Sequence, residues 1–86
     1  STLNNLGLVE RLDGRPEAAI PYYEESIALA RRAGASGEYS LHNALSGLGR
    51  AYAQQRRFDD ALPPLRESHA IALRLYGEEN PMTASA

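Results

Sequence analysis

The chain has 86 residues, nine Arg, no Lys and eleven Asp plus Glu, for a net charge of −2, and a chain this short makes one small domain that buries about 60–65% of the surface its unfolded form exposes. That balance carries no electrostatic footprint for DNA or RNA, and the longest apolar run falls far below the roughly 18 residues of a membrane span, so neither nucleic acid nor membrane is an expected partner. Cysteine is absent, which excludes disulfides, thiolate metal sites and cysteine nucleophiles, and with no oxidising compartment required the expected location is cytoplasmic.

Fourteen Ala and twelve Leu against six β-branched residues favour helix over sheet. Leu3, Leu6, Val9 and Leu12 recur with helical spacing, and Asp13-Gly14-Arg15-Pro16 ends that helix and starts the next. The second helix is expected from Pro16 to Ala33 through Ala19, Ile20, Tyr23, Ile27 and Ala30, with Gly34-Ala35-Ser36-Gly37 closing it. Leu41, Leu45, Leu48 and Tyr52 carry a third helix to about Gln55. Asp59 or Asp60 is the expected cap of a fourth, which reaches about Leu75 before Gly77. Pro81 opens the stub of a fifth, 81–86. Pro21 and Pro63-Pro64 fall about one turn into the second and fourth helices and predict a local kink or a late start. Gly7 and Gly49 sit in mid-helix, where glycine costs about 1 kcal/mol relative to Ala, so a close helix approach is expected at both.

The two halves are copies of one unit. A shift of 42 residues aligns 1–35 with 43–77, and eleven positions carry the same residue, among them Leu6 with Leu48, Gly7 with Gly49, Arg15 with Arg57, Ala19 with Ala61 and Ser26 with Ser68. Self-similarity at this period marks a solenoid of stacked units. The expected organisation is a single domain over 1–86, with repeat one at 1–42, repeat two at 43–84 and the start of a further helix at 81–86. The fold class is therefore all-α, two stacked antiparallel helical hairpins plus a C-terminal stub. The opening Ser1-Thr2-Leu3 and the closing Thr83-Ala84-Ser85-Ala86 read as the ends of a piece of something longer.

Leu3-Asn4-Asn5-Leu6-Gly7 followed by Ala19, Tyr23 and Ser26, and again Leu45, Leu48-Gly49, Tyr52, Ala61, Leu65 and Ser68, resembles the tetratricopeptide repeat. Glu10 stands where the family's Tyr would be in the first unit, Ser26 and Ser68 replace its second Ala, and Arg31 and Leu73 occupy its closing Pro position. The 42-residue period and Leu75-Tyr76-Gly77-Glu78-Glu79-Asn80-Pro81 resemble the long-repeat subclass of kinesin light chains and bacterial regulators. The resemblance implies a right-handed α-solenoid whose concave face, lined by the first helices, holds a peptide of a partner protein, with no catalysis and no cofactor. The groove positions it implies are Asn4, Asn5, Leu8, Arg11 and Leu12 in the first unit, and Asn43, Ser46, Gly47, Arg50, Ala53 and Gln54 in the second. Asn5 leads, because an amide both donates and accepts and so can bond the backbone of an extended peptide; a solvated helix Asn is the competing reading.

Segments 1–15 and 37–57, which hold the first helices, balance to +2, and the rest of the chain to −4. An acidic or extended peptide is the expected ligand, although so small an imbalance can also be surface decoration. The family's clamp for C-terminal carboxylates relies on Lys, which is absent. His42 and His69 are the candidate general bases, and Ser68 beside His69 the candidate nucleophile. Neighbours on a helix point about 100° apart, so Ser68 and His69 do not face each other, and the alignment of His69 with Ile27 suggests a half-buried structural site. Two His without thiols or His-x3-His spacing make a poor zinc site, so no metal is expected. Tyr23 and Tyr52 match core positions. The open ends of a two-unit solenoid also allow a homodimer or helix exchange about Gly34 to Gly37, which makes self-association, or a spacer role in a larger signalling protein, the alternative function.

Overall fold

The computed structural model describes residues 1–77. Four helices follow in order, α1 (Thr2–Leu12), α2 (Pro16–Ala33), α3 (Glu38–Gln54) and α4 (Phe58–Tyr76), with one 3-10 turn, Gly34–Gly37, between α2 and α3. Each helix packs on the next, and α3 lies against α1 as well as α2. The fold is all-α, with hairpin α3–α4 stacked on hairpin α1–α2. The expected stub at 81–86 lies outside the described residues. No helix among the described residues is long and apolar enough to cross a membrane.

The first and third helices end in the same way. The amide of Arg15 donates to the Glu10 carbonyl at 2.9 Å and that of Gly14 to Arg11 at 3.1 Å; 42 residues on, Arg57 donates to Tyr52 and Arg56 to Ala53, both at 2.9 Å. This is the paired closure of a Schellman motif, which needs a left-handed residue just past the helix. The 42-residue register thus aligns the ends of α1 and α3 and the starts of α2 and α4. The start of α3, at Glu38, lies ahead of the Asn43 from which the second unit is counted.

Neither Asp59 nor Asp60 caps α4, which begins one residue earlier, at Phe58, behind an uncapped Arg57. Both aspartates sit in the first turn, where the helix dipole favours them, and Asp60 accepts from Arg57 Nε at 2.9 Å. The prolines do not delay their helices either, since α2 runs through Pro21 and α4 through Pro63 and Pro64. The carbonyls that these prolines leave unpaired belong to Glu17, Asp59 and Asp60, all exposed residues that water can satisfy.

The core forms two clusters, Ala19, Tyr23, Ala44 and Leu48 in one and Ala30, Leu41, Leu45 and Ile71 in the other, with Ile27 packed against both. The mid-helix glycines mark the closest approaches. A Cβ on Gly7 would stand 2.8 Å from the Tyr23 ring, and one on Gly49 would stand 2.5 Å from Leu65. Leu65 is the repeat equivalent of Tyr23, so the same contact is made once in each hairpin. Across the stack, Arg31 of α2 forms a two-pronged pair with Glu67 of α4 at 2.8 and 2.9 Å.

Candidate functional site

Because α3 packs beside α1 while α2 lies behind them both, the two first helices face solvent together with a groove of about 390 Å³ between them. Asn4, Asn5, Leu8 and Arg11 line it from α1, and Asn43, Ser46, Gly47 and Arg50 from α3. Leu12, Ala53 and Gln54, the other positions that the resemblance implied, are in the last turns of the two helices and are not part of its lining. Leu12 is the most exposed large apolar residue among the described ones, at 71%. Gln54 donates to the Arg11 carbonyl at 3.2 Å and ties the ends of α1 and α3 together.

The polar groups of the groove differ in how far they are already satisfied. Asn4 turns toward α3 and donates from Nδ2 to the Ser40 carbonyl at 3.3 Å, while its Oδ1 is buried without a partner. Asn5 and Asn43 are exposed, with no side-chain hydrogen bond among the described residues. Arg11 is half-buried, and its Nε is enclosed without an acceptor among the described residues. Arg50 projects into solvent. No carboxylate lines the groove among the described residues. The ion pairs of the described residues use Arg15, Arg31, Arg57 and Arg74, so the charges of Arg11 and Arg50 stand uncompensated on this face.

Gly47 offers a gap rather than a contacting group. It is buried, and a Cβ there would overlap the ring of Tyr23, which reaches from α2 between Gly7 and Gly47 to the floor of the groove. The sequence placed Tyr23 in the core, which holds for its ring at 2% exposure, but its place in the groove lining was missed. The available signal was a Gly at 47 where the first unit has Asn5, opposite a second Gly at 7.

The half-buried site expected of His69 is not found. His69 is exposed, because the face of α4 equivalent to that of Ile27 has no hairpin stacked on it among the described residues. His42 is the half-buried one. Its Nδ1 lies 2.9 Å from Ser68 Oγ and 3.1 Å from the Ser68 carbonyl, and Ser68 Oγ donates to the His42 carbonyl at 3.2 Å. A carbonyl can only accept, so the consistent assignment puts the proton on Nδ1 and sends the hydroxyl proton of Ser68 to a backbone oxygen. That geometry ties α3 to α4 and leaves Nδ1 no free lone pair to activate the serine. No cluster of three metal-ligating side chains occurs among the described residues.

Stacked helical hairpins whose first helices share one open groove define the class of helical-repeat interaction modules. The family model described as Tetratricopeptide repeat matches residues 1–74, and the chain belongs to the tetratricopeptide repeat family, whose members generally mediate protein–protein interaction. The chain is also similar to the "RxLR effector protein SFI4" of Phytophthora infestans (strain T30-4), with 27% identity over 73 residues, and the match spans 85% of this chain and 22% of that protein. No solved structure matches.

Proposed function

We propose that the chain binds a segment of a partner protein along the groove between α1 and α3, with no chemistry of its own, and that the segment is extended and acidic. The observation that carries this reading is the set of unmet groups on one face: the free amides of Asn5 and Asn43, and the uncompensated Arg11 and Arg50 with no carboxylate among the lining residues. An extended peptide offers backbone donors and acceptors to the amides, and its acids meet the two guanidinium groups. The 42-residue period favours the long-repeat subclass within the family, and a cytoplasmic setting as one part of a larger signalling protein suits such a module.

The test is enrichment from a randomised peptide library by this chain and by a variant carrying Asn5→Ala and Arg50→Glu. Acidic peptides enriched by the first and lost by the second support the reading. Equal enrichment by both overturns it.

Self-association is the second reading, and one comparison favours it. Leu6 and Val9 of α1 are 41% and 53% exposed, while their repeat equivalents in α3, Leu48 and Ala51, are 8% and 0% exposed against the preceding hairpin. The outer face of α1 therefore has the character of a stacking surface without a hairpin on it. Sedimentation equilibrium over a range of concentrations decides this point, and a monomer throughout removes it.

A further inference from the structure

We infer that Tyr23, a residue of the second helix, is a recognition residue of the groove, its hydroxyl donating a hydrogen bond to a carboxylate oxygen of the bound acidic segment. The inference rests on the peptide-groove reading above and adds to it a contact from α2, outside the two helices that the family resemblance assigns to binding.

Three observations carry it. Tyr23 is only 2% exposed, yet it belongs to the groove lining, so the little of it that meets solvent does so in the groove. Its hydroxyl oxygen is the polar end of the ring at Gly47, where an added Cβ would come within 2.8 Å of it, and it has no hydrogen-bond partner among the described residues. The hydroxyl is not among the fully enclosed unpaired atoms of the described residues, which are Asn4 Oδ1 and Arg11 Nε, so it opens to the groove, where an acceptor from outside the chain can meet it.

The ring itself does not require the hydroxyl. At the equivalent position of the second hairpin, Leu65 fills the corresponding slot against Gly49 with no polar tip. The exchange at the facing position is informative as well. The first unit has Asn5 where the second has Gly47, so at that level of the groove α3 brings no side chain and the polar group comes from α2 through the gap. A phenol hydroxyl can donate to an acceptor as well as accept, and the lining holds two enclosed unpaired atoms among the described residues, the donor Arg11 Nε and the acceptor Asn4 Oδ1. The guanidinium groups of Arg11 and Arg50 on the two walls, with no carboxylate in the lining among the described residues, favour an anionic acceptor for the hydroxyl over a neutral or cationic one.

The test uses the whole chain and Tyr23→Phe, which keeps the ring in its slot and removes only the oxygen. A dye-labelled acidic peptide and the same peptide with every Glu replaced by Gln are titrated by fluorescence anisotropy, with amide chemical shifts locating the site and thermal melting reporting the fold. The expected result is about a tenfold weaker affinity of Tyr23→Phe for the acidic peptide, less than about a twofold change for the Gln peptide, and an unchanged melting temperature. Wild-type affinity of Tyr23→Phe for the acidic peptide overturns the inference while leaving the groove reading intact. An equal loss for both peptides together with a lower melting temperature also overturns it, since the hydroxyl is then part of the fold. Binding of the acidic peptide by the wild type without shifts at α1 and α3 overturns the groove reading and the inference with it.

Discussion

Arg56 adopts the left-handed backbone conformation that Gly14 adopts 42 residues earlier, with φ of 61° against 81°. The two residues close α1 and α3 with the same pair of hydrogen bonds, so the second turn keeps the glycine geometry without the glycine. A non-glycine residue there brings its Cβ too close to the backbone, at a cost of about 1–2 kcal/mol. Arg56 is exposed, and no side-chain hydrogen bond among the described residues offsets that cost. Arg56→Gly should therefore stabilise the protein by about 0.5–1 kcal/mol, allowing for the greater freedom of glycine in the unfolded chain. Gly14→Ala should destabilise it by about 1 kcal/mol. Urea denaturation of the two variants checks both signs, and a stability loss in Arg56→Gly would show that the arginine side chain contributes to the turn.

The glycines inside the helices give a contrast in rigidity. Replacing either Gly47 or Gly49 with Ala recovers about 1 kcal/mol of helix propensity. At Gly47 the new methyl meets the ring of Tyr23, held at 2% exposure between two helices; at Gly49 it meets Cγ and Cδ2 of half-buried Leu65, which has to turn at its first side-chain bond to give way. Overpacking against an immovable group costs about 1–3 kcal/mol. Gly47→Ala is thus expected to lower stability by up to about 2 kcal/mol, and Gly49→Ala by less, at most about 1 kcal/mol. Pairing Gly47→Ala with Tyr23→Leu, the residue type found at the equivalent position 65, should restore most of the loss.

These contacts also show where the sequence was readable. Helix positions followed from local patterns: apolar residues three and four apart on each helix, and glycines at 14, 34 and 77, each with positive φ. The closeness demanded by Gly7 and Gly49 was legible because both recur at one repeat position. What was not legible depended on partners distant in sequence. The arrival of Tyr23 in the groove needs α1, α2 and α3 in place at once. The exposure of His69 and the partial burial of His42 depend on which helix face has a neighbour. The caps assigned to Asp59 and Asp60 failed because Arg57 already occupies the position after the Schellman turn, which lets α4 start at Phe58.

The Arg31–Glu67 pair gives a pH dependence with a definite sign. The hydrogen bond and charge of Arg31 hold the Glu67 carboxyl below its ordinary value of 4.5. A depressed folded-state pKa contributes stability above the unfolded pKa and loses it as pH falls through the folded value. The contribution should be complete near neutral pH and disappear on acidification below about 4.5. With the two side chains 51% and 40% exposed, solvent screening keeps it below about 1 kcal/mol. Stability measured against pH for wild type and Glu67→Gln should differ at pH 7 and converge toward pH 3. Curves that run parallel through the acid range would exclude this pair as the source.

Ser26 and Ser68 occupy the same repeat position and are both buried, at 3% and 5% exposure, but only Ser68 has side-chain partners. Its hydroxyl donates to the His42 carbonyl and lies against Nδ1 of the same ring, which joins α3 to α4 at a point where His42 also meets the edge of Tyr76. Removing that hydroxyl takes a second donor from the half-buried His42 carbonyl, which keeps its place in the ladder of α3, and should cost about 0.5–1.5 kcal/mol in Ser68→Ala. Ser26 makes no side-chain hydrogen bond among the described residues, so Ser26→Ala exchanges a buried hydroxyl for a methyl-sized group with no lost partner and should be neutral within about 0.5 kcal/mol. Chemical denaturation of the two alanine variants makes the comparison at matched burial and matched repeat position. A double-mutant cycle of Ser68→Ala with His42→Ala then divides the difference: a coupling of about 1 kcal/mol would place it in the contact with the imidazole, and a coupling near zero would leave the bond to the His42 carbonyl, which His42→Ala retains, as its source.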